Sequence, residues 1–240
     1  MKSILAVMLL LMVSACATYV TPGAGVRLKV PSTPEEDAGA LTAVEPTAAF
    51  PARIAIARIQ DAGYIAKGTM CTGSGKYCLV VTRDAQTQSE AQRIARFPMV
   101  AGLAPIVSPA SPSLQSYADV RAIAESLDAG ILLLYSLDTA FRVDTKPFGP
   151  MDVISLGMTP KKNTRVTTNA TSLLLDVKTG FVYGVAEATA TEESTASAWT
   201  SAEKADAVRL RTETAAFQRL ITEVERLWAG IAKEHGGAGK

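Results

Sequence analysis

Hydrophobic positions along the chain fall into strand-like and helix-like segments. Residues 52–59 read A-R-I-A-I-A-R-I and predict a buried strand. Residues 130–137, G-I-L-L-L-Y-S-L, directly follow a predicted helix, and their continuous apolar run predicts a central strand that is covered on both faces of a sheet. Residues 99–107 are also strand-like, and V-R-L-K-V at residues 26–30 indicates a further short strand.

Three segments have the period of an amphipathic helix, and each is preceded by a capping sequence. These sequences are T-Q-S-E at residues 87–90, S-Y-A-D at 116–119 and T-S-A-E at 200–203. We expect the first helix to stop at Pro98 and the second at Gly130. The third helix is long, and its apolar stripe predicts packing on the sheet. That stripe contains Phe217, Leu220, Ile221, Val224, Leu227, Trp228 and Ile231.

The strongest hairpin signal comes just before the last helix. Residues 164–177 and 181–191 are rich in β-branched side chains and are joined by Lys178-Thr179-Gly180. The predicted order is therefore β, hairpin, α, β, α, β, β, β, α. It predicts an α/β (α+β) single domain, with a mixed sheet of about five or six strands, helices packed on its faces and a long C-terminal helix.

The amino terminus reads M-K-S-I-L-A-V-M-L-L-L-M-V-S-A-C. One basic residue, an apolar run from Ile4 to Val13 and small residues are typical of a secretory signal, and the run is too short for a membrane-spanning helix of roughly 20 residues. The V-S-A-C ending resembles the lipobox of bacterial lipoproteins, which implies cleavage before Cys16 and attachment of diacylglycerol and a fatty acyl chain such as palmitate. The alternative is an ordinary signal peptide with a chance cysteine. Ala17, rather than Asp, follows Cys16, which by the same resemblance implies the outer membrane, facing the periplasm.

Composition limits the possible functions. The 24 Lys and Arg residues nearly balance the 23 Asp and Glu residues, so the chain has no electrostatic signature for binding nucleic acid. His235 is its single histidine, which argues against a Ser-His-Asp triad in the domain and against a multi-histidine metal site. No carboxylate pair has a spacing that favours acid–base catalysis. We therefore expect no enzymatic activity, no cofactor, no metal and no nucleotide.

The stretch G-T-M-C-T-G-S-G-K-Y-C at residues 68–78 allows three interpretations. As a P-loop it fails, because Met70 stands where the first Gly belongs and Tyr77 follows the lysine. As a zinc site it has only Cys71 and Cys78. A disulfide between Cys71 and Cys78 across a hairpin is favoured in an oxidising compartment, and two buried free thiols are the alternative.

The segment 138–163 is predicted to be a long excursion with unusual apolar content. Long apolar loops often contact a partner or another protomer. The alternative is that the segment folds back over its own core. The candidate partner-binding residues are Phe148, Met151, Val153, Ile154, Leu156 and Met158.

These features imply four regions. They are a signal peptide at residues 1–15, a lipidated cysteine and flexible tether at 16–50, an α/β domain at 51–235 and a disordered tail at 236–240.

The element order, the lipobox and the phrase L-L-L-D-V-K-T-G-F-V-Y-G at residues 173–184 together resemble a group of bacterial envelope lipoproteins. Their compact α/β domain is similar to the amino-terminal domain of TolB and to the periplasmic domain of the curli secretion channel. The resemblance implies a scaffold or assembly factor that binds another envelope protein or forms a homo-oligomer. The alternative is a subunit of an oligomeric secretion or transport channel. The broken apolar alternation at residues 173–175 argues against a membrane-spanning strand there.

Overall fold

The protein is described from a computed structural model, which covers residues 25–30, 45–66, 69–81, 85–107, 113–145, 162–196 and 202–236. Five strands form the main sheet in the order β5-β1-β7-β8-β9. They are β1 (Ala52–Asp61), β5 (Val100–Pro105), β7 (Ile131–Thr145), β8 (Lys162–Asp176) and β9 (Val182–Ala196). Four shorter strands extend this sheet from β1: β2 (Met70–Thr72), β3 (Ser74–Gly75), β4 (Tyr77–Val81) and β6 (Ser113–Leu114).

Three helices cover the two faces of the sheet. They are α1 (Ala85–Ile94), α2 (Tyr117–Ser126) and α3 (Ala202–His235). On one face, α3 buries Phe217, Leu220 and Trp228 against the sheet beside Ile94 of α1. On the other face, α2 buries Val120 and Ile123. The predicted fold class is thereby confirmed, including the mixed sheet and the long C-terminal helix.

The central strand β7 is buried on both faces, as its continuous apolar run predicts. Ile131 and Leu133 face α3, whereas Leu132 and Leu134 face α2. β7 runs parallel to β1 and antiparallel to β8. An apolar run with no polar alternation fits only such a position, because both of its faces leave water.

One edge of β1 has two successive partners. Ala52 to Ile56 pair in parallel with β5, and Ile59 to Asp61 pair antiparallel with β4. The opposite edge pairs with β7 from Ile54 to Arg58. The sheet therefore splits beside Arg58, where β5 ends and β4 begins to pair.

Two predicted helix boundaries are wrong. The T-Q-S-E sequence lies inside α1, which already begins at Ala85, so it is not the N-cap of this helix. The second helix ends at Ser126, and Asp128, rather than Gly130, adopts the left-handed conformation after it, with φ 56°. The start of this helix agrees with the prediction, because the backbone N–H of Ser116 donates to the Asp119 carboxylate at 2.8 Å.

The predicted excursion is shorter than residues 138–163. β7 continues to Thr145 and β8 begins at Lys162, with a regular antiparallel register from Asp138 opposite Asn169 to Thr145 opposite Lys162. Among the side chains described there, Arg165 and Asn169 are exposed, whereas Val166 and Thr168 are buried, so this part of β8 lacks the continuous apolar run of a strand that is buried on both faces. The hairpin between β8 and β9 is confirmed at the predicted turn.

The segment at residues 25–30 is not a strand, and it packs on the domain. The backbone N–H of Gly25 donates to Asp138 Oδ1 at 3.0 Å, and that of Val26 donates to Gln60 Oε1 at 3.2 Å. Leu28 is 4% exposed. Residues 45–50 are also attached, through Asp176. Both segments of the predicted tether therefore contact the domain, because they supply apolar and hydrogen-bonding groups that the sheet lacks.

Candidate functional site

The split in the sheet forms a small crevice on the α3 face. Its walls come from the end of β5, the end of β4, the middle of β1, and α1. We define the crevice by its lining residues: Ile56, Arg58, Val80, Val81, Thr87, Ala91, Ile94, Pro105, Ile106, Val107, Tyr135 and Phe217. Its volume is about 80 Å³. Crevices at the carboxyl ends of strands, where sheet connectivity changes, are common binding positions in α/β folds.

The size of the crevice limits what it can hold. Pockets for drug-sized ligands measure about 300–1,000 Å³, and an engineered cavity of about 150 Å³ accepts benzene. A crevice of about 80 Å³ therefore takes one side chain or a fragment of similar size. The lining is apolar except for Arg58, Thr87 and the hydroxyl of Tyr135, so the preferred fragment is aliphatic.

Exposed apolar side chains occur in the lining of the crevice and in the segments next to it. Val107, which lines it, is 61% exposed. Met70 is 57% exposed and pairs with Val81 of the crevice, so both side chains lie on the same face of the β2–β4 ladder. Ile65 is 71% exposed and follows Tyr64, whose hydroxyl accepts a hydrogen bond from Arg58. We call Ile65, Met70 and Val107 the apolar rim.

A network of buried charges lies beneath the crevice. Glu213 of α3 accepts hydrogen bonds from Arg58 Nη2 at 3.2 Å and from Arg209 Nη1 at 2.8 Å. Arg209 also bonds Asp206 through Nε at 3.0 Å and Nη2 at 2.9 Å. Thr139 of β7 donates to Glu213 Oε1 at 3.3 Å. Two cations and two anions therefore meet in this network, which has no net charge.

Burial and the neighbouring carboxylates have opposite effects on the pKa values of Arg58 and Arg209. Burial has the largest single effect and lowers the pKa of Arg58, but Glu213, Tyr64 and Tyr135 together outweigh it, and the resulting pKa is raised. The pKa of Arg209 is raised in the same way by Glu213 and Asp206 against its burial. Burial raises the pKa of the Tyr64 hydroxyl. Both guanidinium groups stay protonated, and Tyr64 stays neutral, so the network holds fixed charges at physiological pH.

One hydrogen-bond donor of this network has no acceptor among the described residues. Arg58 is 6% exposed, and its Nε has no hydrogen-bond partner among the described residues. The guanidinium is held by Glu213 and by the Tyr64 hydroxyl, which lies 3.3 Å from Nη2. A buried N–H without an acceptor costs about 1–3 kcal/mol, so an acceptor that enters the crevice would remove this cost.

The two cysteines lie beside the crevice. Cys71 and Cys78 form a disulfide with their Cα atoms 5.5 Å apart. Their strands pair as predicted, but the register places Cys71 opposite Val80, so the cysteines are not direct cross-strand partners. Cys78 packs with Tyr64 and Val80 in a small apolar cluster. The bridge therefore fastens the β4 wall of the crevice to the strand that carries Met70.

The other candidate site residues from the sequence lie outside the described residues. These are Cys16 and the six apolar residues Phe148, Met151, Val153, Ile154, Leu156 and Met158. The sequence analysis did not find Arg58 or Glu213. One signal was present: Asp206, Arg209 and Glu213 continue the buried stripe of α3 toward its amino terminus at helical spacing.

The turn after β8 has a structural role in this fold. The Asp176 carboxylate accepts hydrogen bonds from the backbone N–H groups of Lys178 and Thr179 in the turn, and from those of Thr47 and Ala48. Burial acts to raise the pKa of Asp176, but these hydrogen bonds outweigh it and lower the pKa below its ordinary value. Asp176 therefore attaches residues 45–50 to the domain.

Two further kinds of feature, a metal-binding group and a membrane-spanning helix, are absent from the described residues. No group of three or more His, Cys, Asp or Glu side chains in this part of the chain is placed to hold a metal ion. No described helix is both long enough and apolar enough to cross a membrane.

Comparisons with known proteins do not assign a family. No protein-family model matches the chain, and no curated protein matches it. Among solved structures, the chain is similar to a PelC dodecamer from Paraburkholderia phytofirmans, with 12% identity and a TM-score of 0.24 over 71% of this chain and 92% of that chain. It is also similar to a single-substitution form of the same dodecamer, with 14% identity and a TM-score of 0.23 over 71% of this chain and 93% of that chain. TM-scores this low carry no argument about fold or function.

Proposed function

We propose that this protein is a lipid-anchored component of the bacterial envelope, faces the periplasm, and acts as a non-enzymatic scaffold or assembly factor. It binds another envelope protein, or a second copy of itself, through the apolar rim of the crevice. The observation that carries the proposal is the exposure of Val107 in the lining of the crevice, with exposed Met70 paired to the lining residue Val81.

The compartment is supported by two independent features. The V-S-A-C sequence supplies the lipid attachment site at Cys16, and two or more acyl chains give stable anchoring, since each buried CH₂ contributes about 0.8 kcal/mol. The disulfide between Cys71 and Cys78 supports an oxidising space, because such bridges are rare in the cytosol.

The apolar rim supports protein binding. Exposed large hydrophobic side chains that occur singly need no explanation, but a group of them around a concavity marks an interaction surface. Val185 and Leu210 are also exposed, but they lie on β9 and α3 and line no part of the crevice. The rim is thus distinguished by its location rather than by exposure alone.

The test compares Val107→Asp with Val185→Asp, since both replace an exposed valine by the same charge. The full chain is expressed in its native envelope, solubilised in mild detergent and sized by light scattering after gel filtration. We expect the unaltered protein to migrate in an assembly larger than a monomer, Val107→Asp to release it and Val185→Asp to leave it intact.

The outcomes separate the two candidate functions. A monomeric unaltered protein, or an assembly that Val107→Asp leaves unchanged in a folded protein, contradicts binding through the apolar rim. A large closed ring of this chain alone supports the channel subunit instead of the scaffold.

Two further variants test the parts of the proposal that lie outside the described residues. Cys16→Ser is expected to move the protein from the membrane fraction to the aqueous fraction, and retention in the membrane would contradict the lipid anchor. Met151→Asp combined with Ile154→Asp tests residues 148–158 as a second contact. An unchanged assembly in that double variant would restrict binding to the apolar rim.

A further inference from the structure

We infer that the crevice binds an extended segment of a partner protein at a neutral peptide group, with an aliphatic side chain filling the crevice and the adjacent carbonyl oxygen accepting a hydrogen bond from Arg58 Nε. The inference deepens the proposed function, on which it rests, by naming the chemistry that the partner presents.

The shape and lining select the side chain. The volume of about 80 Å³ admits a single aliphatic group and excludes a larger ligand. Apolar contacts come from Ile56 of β1, Val81 of β4, Ile94 of α1 and Val107 after β5. A leucine, isoleucine or valine side chain buried there is stabilised by leaving water.

The charge balance selects a neutral acceptor. Arg58 and Arg209 are already balanced by Glu213 and Asp206. A carboxylate would bring an uncompensated negative charge into a poorly hydrated site, which is costly. A peptide carbonyl satisfies the unused N–H of Arg58 without adding charge.

A buried water needs two to four polar partners, and the polar side chains of the crevice lining are those of Arg58, Thr87 and Tyr135. A carbonyl oxygen needs only one donor, and the rest of its chain can remain in solvent. Arg58 is also fixed in advance by Glu213 and Tyr64, so little side-chain entropy is lost on binding.

The test uses N-acetylleucinamide as the probe, because it carries one aliphatic side chain between two neutral amides. The processed, full-length protein is labelled with ¹⁵N-arginine and held in lipid nanodiscs, and the Nε–H resonances are followed by NMR. The variant Arg58→Lys identifies the Arg58 resonance by removing it. N-acetylglycinamide lacks the side chain, and N-acetylleucine replaces the terminal amide by a carboxylate.

We expect N-acetylleucinamide to shift the Arg58 Nε–H signal downfield and saturably, with half-saturation on the order of 1–10 mM. Ala91→Leu, which fills the crevice from α1, should weaken binding at least tenfold. Ala95→Leu is the matched control, since Ala95 is exposed just beyond α1 and lines no part of the crevice, and it should bind as the unaltered protein does.

Several results would overturn the inference. They are the absence of a saturable shift, equal binding of N-acetylglycinamide, tighter binding of N-acetylleucine, or undiminished binding in an Ala91→Leu variant whose other arginine signals are unchanged. If N-acetylleucinamide does not bind but Val107→Asp still dissociates the assembly, the proposed scaffold function holds and the partner contacts only the apolar rim. If N-acetylleucinamide binds but Val107→Asp leaves the assembly intact, the crevice binds a partner other than the one in that assembly.

Discussion

Glu213 holds together two arginines that have almost no contact with water, so its replacement by glutamine should be strongly destabilising. Glutamine has nearly the same volume, and the change therefore removes the charge without creating a cavity. Arg58 would lose its carboxylate partner and keep the neutral Tyr64 hydroxyl, whereas Arg209 would keep the Asp206 carboxylate. The network would then carry one uncompensated positive charge.

The magnitude follows from burial. Arg58 and Glu213 have side chains that are 5% and 6% exposed, and removing one partner of such a pair costs about 3–5 kcal/mol because the other charge stays buried. The matched control is Glu192→Gln, which removes the exposed ion pair with Arg211, whose nitrogen and oxygen atoms lie 2.6 Å apart. An exposed pair of this kind contributes little to stability, because water screens its charges.

Urea unfolding of the full chain, followed by the fluorescence of the buried Trp228, measures both variants. We expect the unfolding midpoint of Glu213→Gln to fall far below that of Glu192→Gln, with an unchanged dependence on urea concentration. The buried charges of the network do not stabilise the fold if the two variants lose equal free energy of unfolding, or if Glu213→Gln loses less than about 1 kcal/mol.

Three further predictions concern the segments attached to the sheet. Gly25→Ala places a Cβ about 2.6 Å from the carbonyl oxygen of Leu137, so residues 25–30 should detach and gain hydrogen exchange, whereas Gly63→Ala, which meets nothing within 4 Å, should not change them. Asp176→Asn should lose about 1.5–3 kcal/mol at neutral pH. Because the folded pKa of Asp176 is lowered, its contribution to stability is present above the unfolded pKa near 3.9 and is lost as the pH falls through the folded pKa. The difference in free energy of unfolding between the unaltered protein and Asp176→Asn should therefore shrink in acid. A difference that stays constant with pH would contradict this. Reducing the disulfide should lower the free energy of unfolding by roughly 2.5 kcal/mol on the chain-entropy model, and a chain with both cysteines replaced by serine should show no effect of the reductant.

The sequence was sufficient for those features that depend on local pattern. The unbroken apolar run of β7, the stripe of α3 and the turn between β8 and β9 each require a particular burial or backbone geometry, and the structure has them where the pattern predicts them. The capping sequence at Ser116 also begins a helix, whereas the similar sequence at Thr87 lies within one. A capping sequence satisfies free backbone N–H groups only where the preceding chain is not helical, and that depends on residues beyond it.

Only the tertiary structure decided where the candidate site lies. Arg58 in β1 and Glu213 in α3 are distant in sequence, and their side chains meet because α3 packs across the face of the sheet. The crevice exists because β5 and β4 share one edge of β1 without filling it, which is a property of strand pairing rather than of any motif. Periodicity shows which face of an element is buried, but the partners of that face are set by long-range pairing and packing, and those interactions determine which charges are neutralised and where an opening is left.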